Sequence, residues 1–76
     1  MAVEFTVEAS YRGWSEAKDE RIRGAVGHAE DGGGYGLGGR DLTWTYKRRF
    51  PADAAATRIR DARIPGVRVS VVEESA

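Results

Sequence analysis

The chain has no cysteine, which excludes disulfides, thiolate metal sites and thiol nucleophiles. A domain of this size without such staples must hold together by packing alone. Net charge is also missing, since twelve Lys and Arg balance twelve Asp and Glu. No general field therefore draws the chain toward nucleic acid or anionic lipid, and any charged function must come from local asymmetry. Histidine occurs once, at His28. With Glu30 and Asp31 it could in principle ligate a metal, but a helix C-terminus, where imidazole meets the dipole favourably, is the expected setting. No apolar run approaches the roughly 20 residues that cross a bilayer. The segment after Met1 has neither the basic region nor the apolar core of a signal peptide, so a cytoplasmic protein is expected.

Catalytic constellations are missing as well. Glu4 and Glu8 share one face of a strand pattern but lie roughly 13 Å apart along it, too far to work together as acid and base. Neither a catalytic residue nor a bound metal or cofactor is expected.

What is present is the composition of a soluble globular domain, with 41% hydrophobic and 32% charged residues in 76, enough for one small core. A single domain over 1–76 is expected. Val3, Phe5, Val7 and Ala9 alternate with Glu4, Thr6 and Glu8, the period of a strand with one wet face, and Ser10 to Gly13 are expected to break it. Ser15 stands where a helix N-cap belongs, and Ile22, Ala25, Val26 and Ala29 mark one face of a helix from about Ser15 to His28. Asp19 and Arg23 are expected to pair on its other face. Pro51 suits the first turn of a second helix, whose stripe is Ala52, Ala55, Ala56, Ile59 and Ala62. Ile64, Pro65 and Gly66 end it, and Val67, Val69 and Val71 begin a last strand, with Glu73 to Ala76 as a polar tail.

The unusual stretch is Gly32 to Tyr46, GGGYGLGGRDLTWTY, with six glycines in its first eight residues. Leu42, Trp44 and Tyr46 alternate with Thr43, Thr45 and Lys47 as a strand. A type II′ turn at Gly39 and Arg40 would fold the glycine run back along it. That register sets Leu37 opposite Leu42 and Tyr35 opposite Trp44, with Gly34, Gly36 and Gly38 on the other face. The competing reading is a surface loop, because glycine-rich strands specify register weakly. A phosphate cradle would need a helix after the glycines, and a strand follows instead.

The resulting order, βαββαβ, resembles the ferredoxin-like split βαβ superfold. The resemblance implies an α+β two-layer sandwich, an antiparallel sheet ordered 4-1-3-2 and two helices on one face. Metal carriers of that fold bind through two cysteines after the first strand, where this chain has Tyr11, Arg12, Gly13 and Trp14, so that activity is excluded. Tyr11 and Trp14 are expected to form a lid on the core. The open face is expected to carry Glu4, Thr6 and Glu8 beside Thr43, Thr45, Lys47 and Arg49, with Arg68 on the far side and opposite charges meeting across it. The glycine strand becomes an edge, and Gly34, Tyr35, Gly36, Gly38, Arg40, Lys47 and Arg49 are the candidate partner-binding residues. The expected partner is a protein strand or a second copy of the chain. The alternative is weak nucleic-acid binding through Lys47, Arg48 and Arg49 with the arginines of the second helix.

Overall fold

The computed structural model describes residues 2–75. Met1 and Ala76 lie outside them. Six elements follow in the order β1 (Val3–Arg12), α1 (Glu16–Val26), β2 (Gly32–Gly36), β3 (Gly39–Tyr46), α2 (Arg49–Asp61) and β4 (Arg68–Ser75). The strands form one sheet in the order β2-β3-β1-β4, every neighbouring pair antiparallel. With the helices packed on one side, this is the ferredoxin-like α+β arrangement in two layers.

Strand β1 outruns its expected end because its alternation continues through the polar residues. Ala9 and Tyr11 point into the core while Ser10 and Arg12 point away, and the strand stops only before Gly13, at φ 78. Tyr11 is therefore a core residue and not part of a loop lid. Val7 pairs with Trp44 on one side and Val71 on the other, and Ala9 with Leu42 and Val69. These pairs make the floor of the core. Ser15 caps α1, its Oγ accepting from the Lys18 N–H at 3.2 Å, and Gly27 closes the helix with its N–H on the Arg23 carbonyl. The helix thus ends short of His28, whose backbone oxygen accepts from the Trp44 indole N–H at 3.1 Å and whose ring stands edge-on to Tyr46.

Pro51 falls in the first turn of α2, and the small residues Ala52, Ala55 and Ala56 bring that helix close to the sheet beside buried Ile59. Trp44, Ile22, Leu42, Ile59 and Val7 are the largest fully buried side chains. Burying each contributes roughly 1.5–3 kcal/mol relative to exposure. Phe5, Tyr46 and Val69 pack partly buried against them, whereas Val3 is exposed at the strand's start. The segment expected as a polar tail is strand as far as Ser75, because Phe5 and Glu4 of β1 pair with Glu73 and Glu74. No helix among the described residues is long and apolar enough to cross a membrane.

The opposite face of the sheet is uncovered. Glu8 lies beside Thr43 and Ser70, Thr6 beside Thr45 and Val72, and Ser10 beside Asp41 and Arg68. Among the described residues no ion pair crosses this face, contrary to the expected meeting of opposite charges. Arg49 belongs to the helix layer, where it pairs with Glu73 at 2.7 Å and lies over the Phe5 ring.

Trp44 is the largest fully buried side chain and its indole is bonded to the His28 carbonyl, so Trp44→Ala should cost roughly 3–5 kcal/mol as a core truncation, read as a lowered melting temperature or loss of the folded signal in circular dichroism. An unchanged melting temperature would contradict the assignment of the buried face.

Candidate functional site

The glycine run is a strand, but its register differs from the expected one. Gly36 pairs with Gly39, Tyr35 with Arg40, Gly34 with Asp41, Gly33 with Leu42 and Gly32 with Thr43. The turn is Leu37–Gly38, both at positive φ (52 and 78), the requirement of a type I′ hairpin. Two constraints exclude Gly39 and Arg40 from the turn. Arg12 of β1 pairs with Gly39, which fixes Gly39 in the sheet. Arg40 is held on the helix side by Asp19, its Nε donating to Oδ2 at 3.0 Å.

Asp19 is the centre of this region. It is only 2% exposed, and it lies on the stripe of α1 that also carries buried Ile22 and Val26. Its Oδ1 accepts from the Tyr11 hydroxyl and its Oδ2 from Arg40 and, at 3.3 Å, from the Trp14 indole N–H. The Tyr11 oxygen in turn accepts from the Ser15 N–H at 3.0 Å. Arg40 also reaches Glu30 at 3.5 Å, and Glu30 is gripped by Arg23 through two bonds of 2.6 and 2.8 Å. The expected solvated Asp19–Arg23 pair is thus replaced by two others, Arg23 turning to Glu20 and Glu30. The signal for a buried carboxylate was an acid at i on a stripe continued at i+3 and i+7.

The charge environment follows from these contacts. The Arg23 guanidinium holds the Glu30 carboxyl down to about 2, and its own proton is held more tightly in return. Burial, helped by the bond to Asp19, pushes the Tyr11 hydroxyl up, and burial does the same to Tyr46.

Around this anchor lies an exposed apolar rim. Trp14 is 68% and Tyr35 59% exposed, their ring centroids 6.2 Å apart, and Leu37 stands fully in solvent. Trp14 is no lid on the core; its nitrogen is tied to Asp19 while its ring lies outside beside Tyr35. The Gly13 N–H bonds the Gly38 carbonyl at 2.6 Å, fastening the Trp14 loop to the hairpin turn. Leucine suits neither a left-handed backbone nor full exposure.

Beyond the end of β2, Asp31 finishes the edge of β3. Its N–H donates to the Thr43 carbonyl at 3.0 Å, and its Oδ2 accepts from the Thr45 N–H at 2.8 Å. The outer side of β2 has no such cover among the described residues. By the alternation of an antiparallel ladder, the closing pair Gly36–Gly39 faces inward, so Tyr35 turns its N–H and C=O to the outer edge.

The strand's glycines have unlike causes. Gly33 has φ 133, and a Cβ there would run into the Asp41 carbonyl. At Gly34 and Gly36 an added Cβ would meet nothing within 4 Å, and neither has a left-handed backbone. Nothing inside the molecule demands glycine at those two positions.

Of the residues expected to form the site, Gly34, Tyr35, Gly36 and Gly38 lie together at the edge. Arg40 lies behind them, engaged by Asp19. Lys47 follows β3 at the other end of the sheet, beside Val3 and Glu4, and Arg49 is paired with Glu73. Sequence reasoning missed Trp14 and Leu37 as parts of the rim. A shallow concavity of about 600 Å³ adjoins the hairpin, with Ser10, Arg12, Gly39, Asp41 and Arg68 in its lining. No group of three His, Asp or Glu that could hold a metal occurs among the described residues. In comparisons with known proteins the chain matches no family model, no curated protein and no solved structure.

Gly33→Ala should destabilise by more than about 1 kcal/mol, and Gly34→Ala should be neutral or stabilising by roughly 0.4–1 kcal/mol, both read from denaturant midpoints. The Glu30–Arg23 contact should also show in acid. The Glu30 carboxyl, ordinarily near 4.5, is lowered to about 2 in the fold. The contact's contribution is therefore complete above about pH 4.5 and is lost as pH falls toward 2. Glu30→Gln should remove about 1 kcal/mol at neutral pH and flatten the decline between those two values, measured by chemical denaturation at several pH values.

Proposed function

We propose that this chain is a non-catalytic binding module that takes an added β-strand on the outer edge of β2. The observation that carries the reading is an edge left open where the rest of the sheet is guarded. The β4 edge has Arg68, Glu73 and Glu74 along it, and the Arg60 guanidinium reaches the Val69 carbonyl at 3.3 Å. The β3 edge is closed by Asp31. Charges of this kind keep sheet edges from pairing with other chains, and β2 has none of its own.

The flanks of β2 suit an incoming strand. Backbone groups at Tyr35 supply main-chain hydrogen bonds, Trp14 and Tyr35 give apolar contact on the helix side, and Leu37 adds exposed apolar surface at the turn. Gly34 and Gly36 leave bare backbone on the open side, so a partner can approach closely. Nucleic-acid binding is the weaker reading. Phe5, Trp44 and Tyr46 lie under the helices, which leaves the open face with no ring for base stacking. The Arg49 and Arg60 side chains already have protein partners.

The test uses proline at the outward-facing position. Tyr35→Pro removes the outer donor without taking a bond from the β2–β3 ladder, whereas proline at Gly36 would break the hairpin itself. Hydrogen exchange of residues 32–38 should slow in the wild type on strand addition, at high protein concentration or with an extended peptide. It should stay fast in Tyr35→Pro, and Tyr35→Ala should keep part of the effect. Uniformly unprotected amides under every condition would contradict the proposal.

A further inference from the structure

We infer that the strand added to β2 is β2 of a second copy of this chain, related by a two-fold axis through Gly34 and normal to the sheet. The inference rests on strand addition at β2 and names its partner. A two-fold contact is self-complementary, since residue i meets j and j meets i. With the axis at Gly34, all five residues of β2 are used, and Tyr35 of each copy lies opposite Gly33 of the other.

Both of those residues are on the helix side, as their partners Arg40 and Leu42 show. Gly33 can carry no side chain of its own, because a Cβ there would run into the Asp41 carbonyl, so its backbone is left bare to a facing strand. A ring from the facing strand fits there, an arrangement that stabilises glycine in sheets. Trp14 beside Tyr35 extends the contact. On the open side Gly34 meets its own counterpart and Gly36 meets Gly32, with no side chain to clash. The strand carries no charge, so symmetry brings no like charges into opposition. An axis at Tyr35 would instead require Leu37, at φ 52 in the turn, to join the ladder. The product is one eight-stranded sheet with all four helices on one face. The strand contributes few residues beside the roughly 20–30 a side of a standard interface, so association is weak and concentration-dependent.

Sedimentation of the full chain tests this. The wild-type mass should move from one chain toward two between about 5 and 500 μM. Gly34→Lys and Gly34→Glu, placed where the monomer has open space, should each keep the wild-type helix signal and remain single chains, because each puts like charges face to face. An equimolar mixture of the two should recover the doubled mass. A wild type that stays monomeric throughout, or both variants associating as it does, would overturn the second copy as partner. Adding an alternating Thr-Val decapeptide separates the two levels of failure. If the wild type stays monomeric yet the peptide slows exchange at Tyr35, only the self-pairing falls; if the peptide also leaves that amide unprotected, strand addition falls with it.

Discussion

The hairpin and everything arranged on it depend on one buried carboxylate. Asp19 replaces an apolar residue on the core stripe of α1 and meets three donors, from Tyr11, Trp14 and Arg40. A buried ion pair adds little net stability compared with an apolar pair of similar volume, because desolvation offsets the attraction. What it adds here is position. Arg40 cannot leave the helix side of β3 without stranding Asp19 in a dry environment, so the start of β3 is fixed and the turn is confined to Leu37 and Gly38. The same carboxylate tethers the Trp14 indole, so the edge strand and its apolar rim are set by a common anchor.

This explains how a strand of four glycines in five residues can be ordered. Each strand glycine costs roughly 0.5–1 kcal/mol relative to alanine and supplies no side chain to define register. The missing specification comes from outside the strand. Arg40 is fixed opposite Tyr35, Gly38 is tied to Gly13, and Asp31 ties the start of the strand to β3. With both ends fastened, the middle can give up side chains without slipping.

Much of the fold was legible in the sequence because side-chain pattern carries it. The alternation of β1, the alanine stripe of α2 and the valines of β4 led to the order of elements, and the resemblance of that order to the ferredoxin-like fold implied the strand order that is observed. The register of the hairpin was not legible for the same reason: glycines have no pattern, and the Asp19–Arg40 contact spans 21 residues. Tyr11 was misread because Ser10 and Arg12 look like a break when they are the outward half of a continuing strand. Arg49 was misread as strand although Pro51, in a first helical turn, already placed the residues just before it in the helix. At the edge, Gly34, Tyr35, Gly36 and Gly38 could be named from composition. Trp14 and Leu37 could not, since their exposure follows from the tether to Asp19 and from the position of the turn.

The contrast between the edges of the sheet bears on why β2 is bare. A glycine run serving only as a loop would need no fastening, and the bonds at Gly13–Gly38 and Asp31–Thr45 would have no purpose in it. A strand serving only to complete the sheet would gain from alanine or larger residues at Gly34 and Gly36, where the fold leaves room for them. The chain does neither. It holds the strand firmly and keeps those two positions empty, while it places charge on β4 and a carboxylate at the end of β3. Firm backbone without side chains has its use when another backbone must come close, and the exposed Trp14, Tyr35 and Leu37 border that place. The physical constraint that fixes the register therefore also presents the edge.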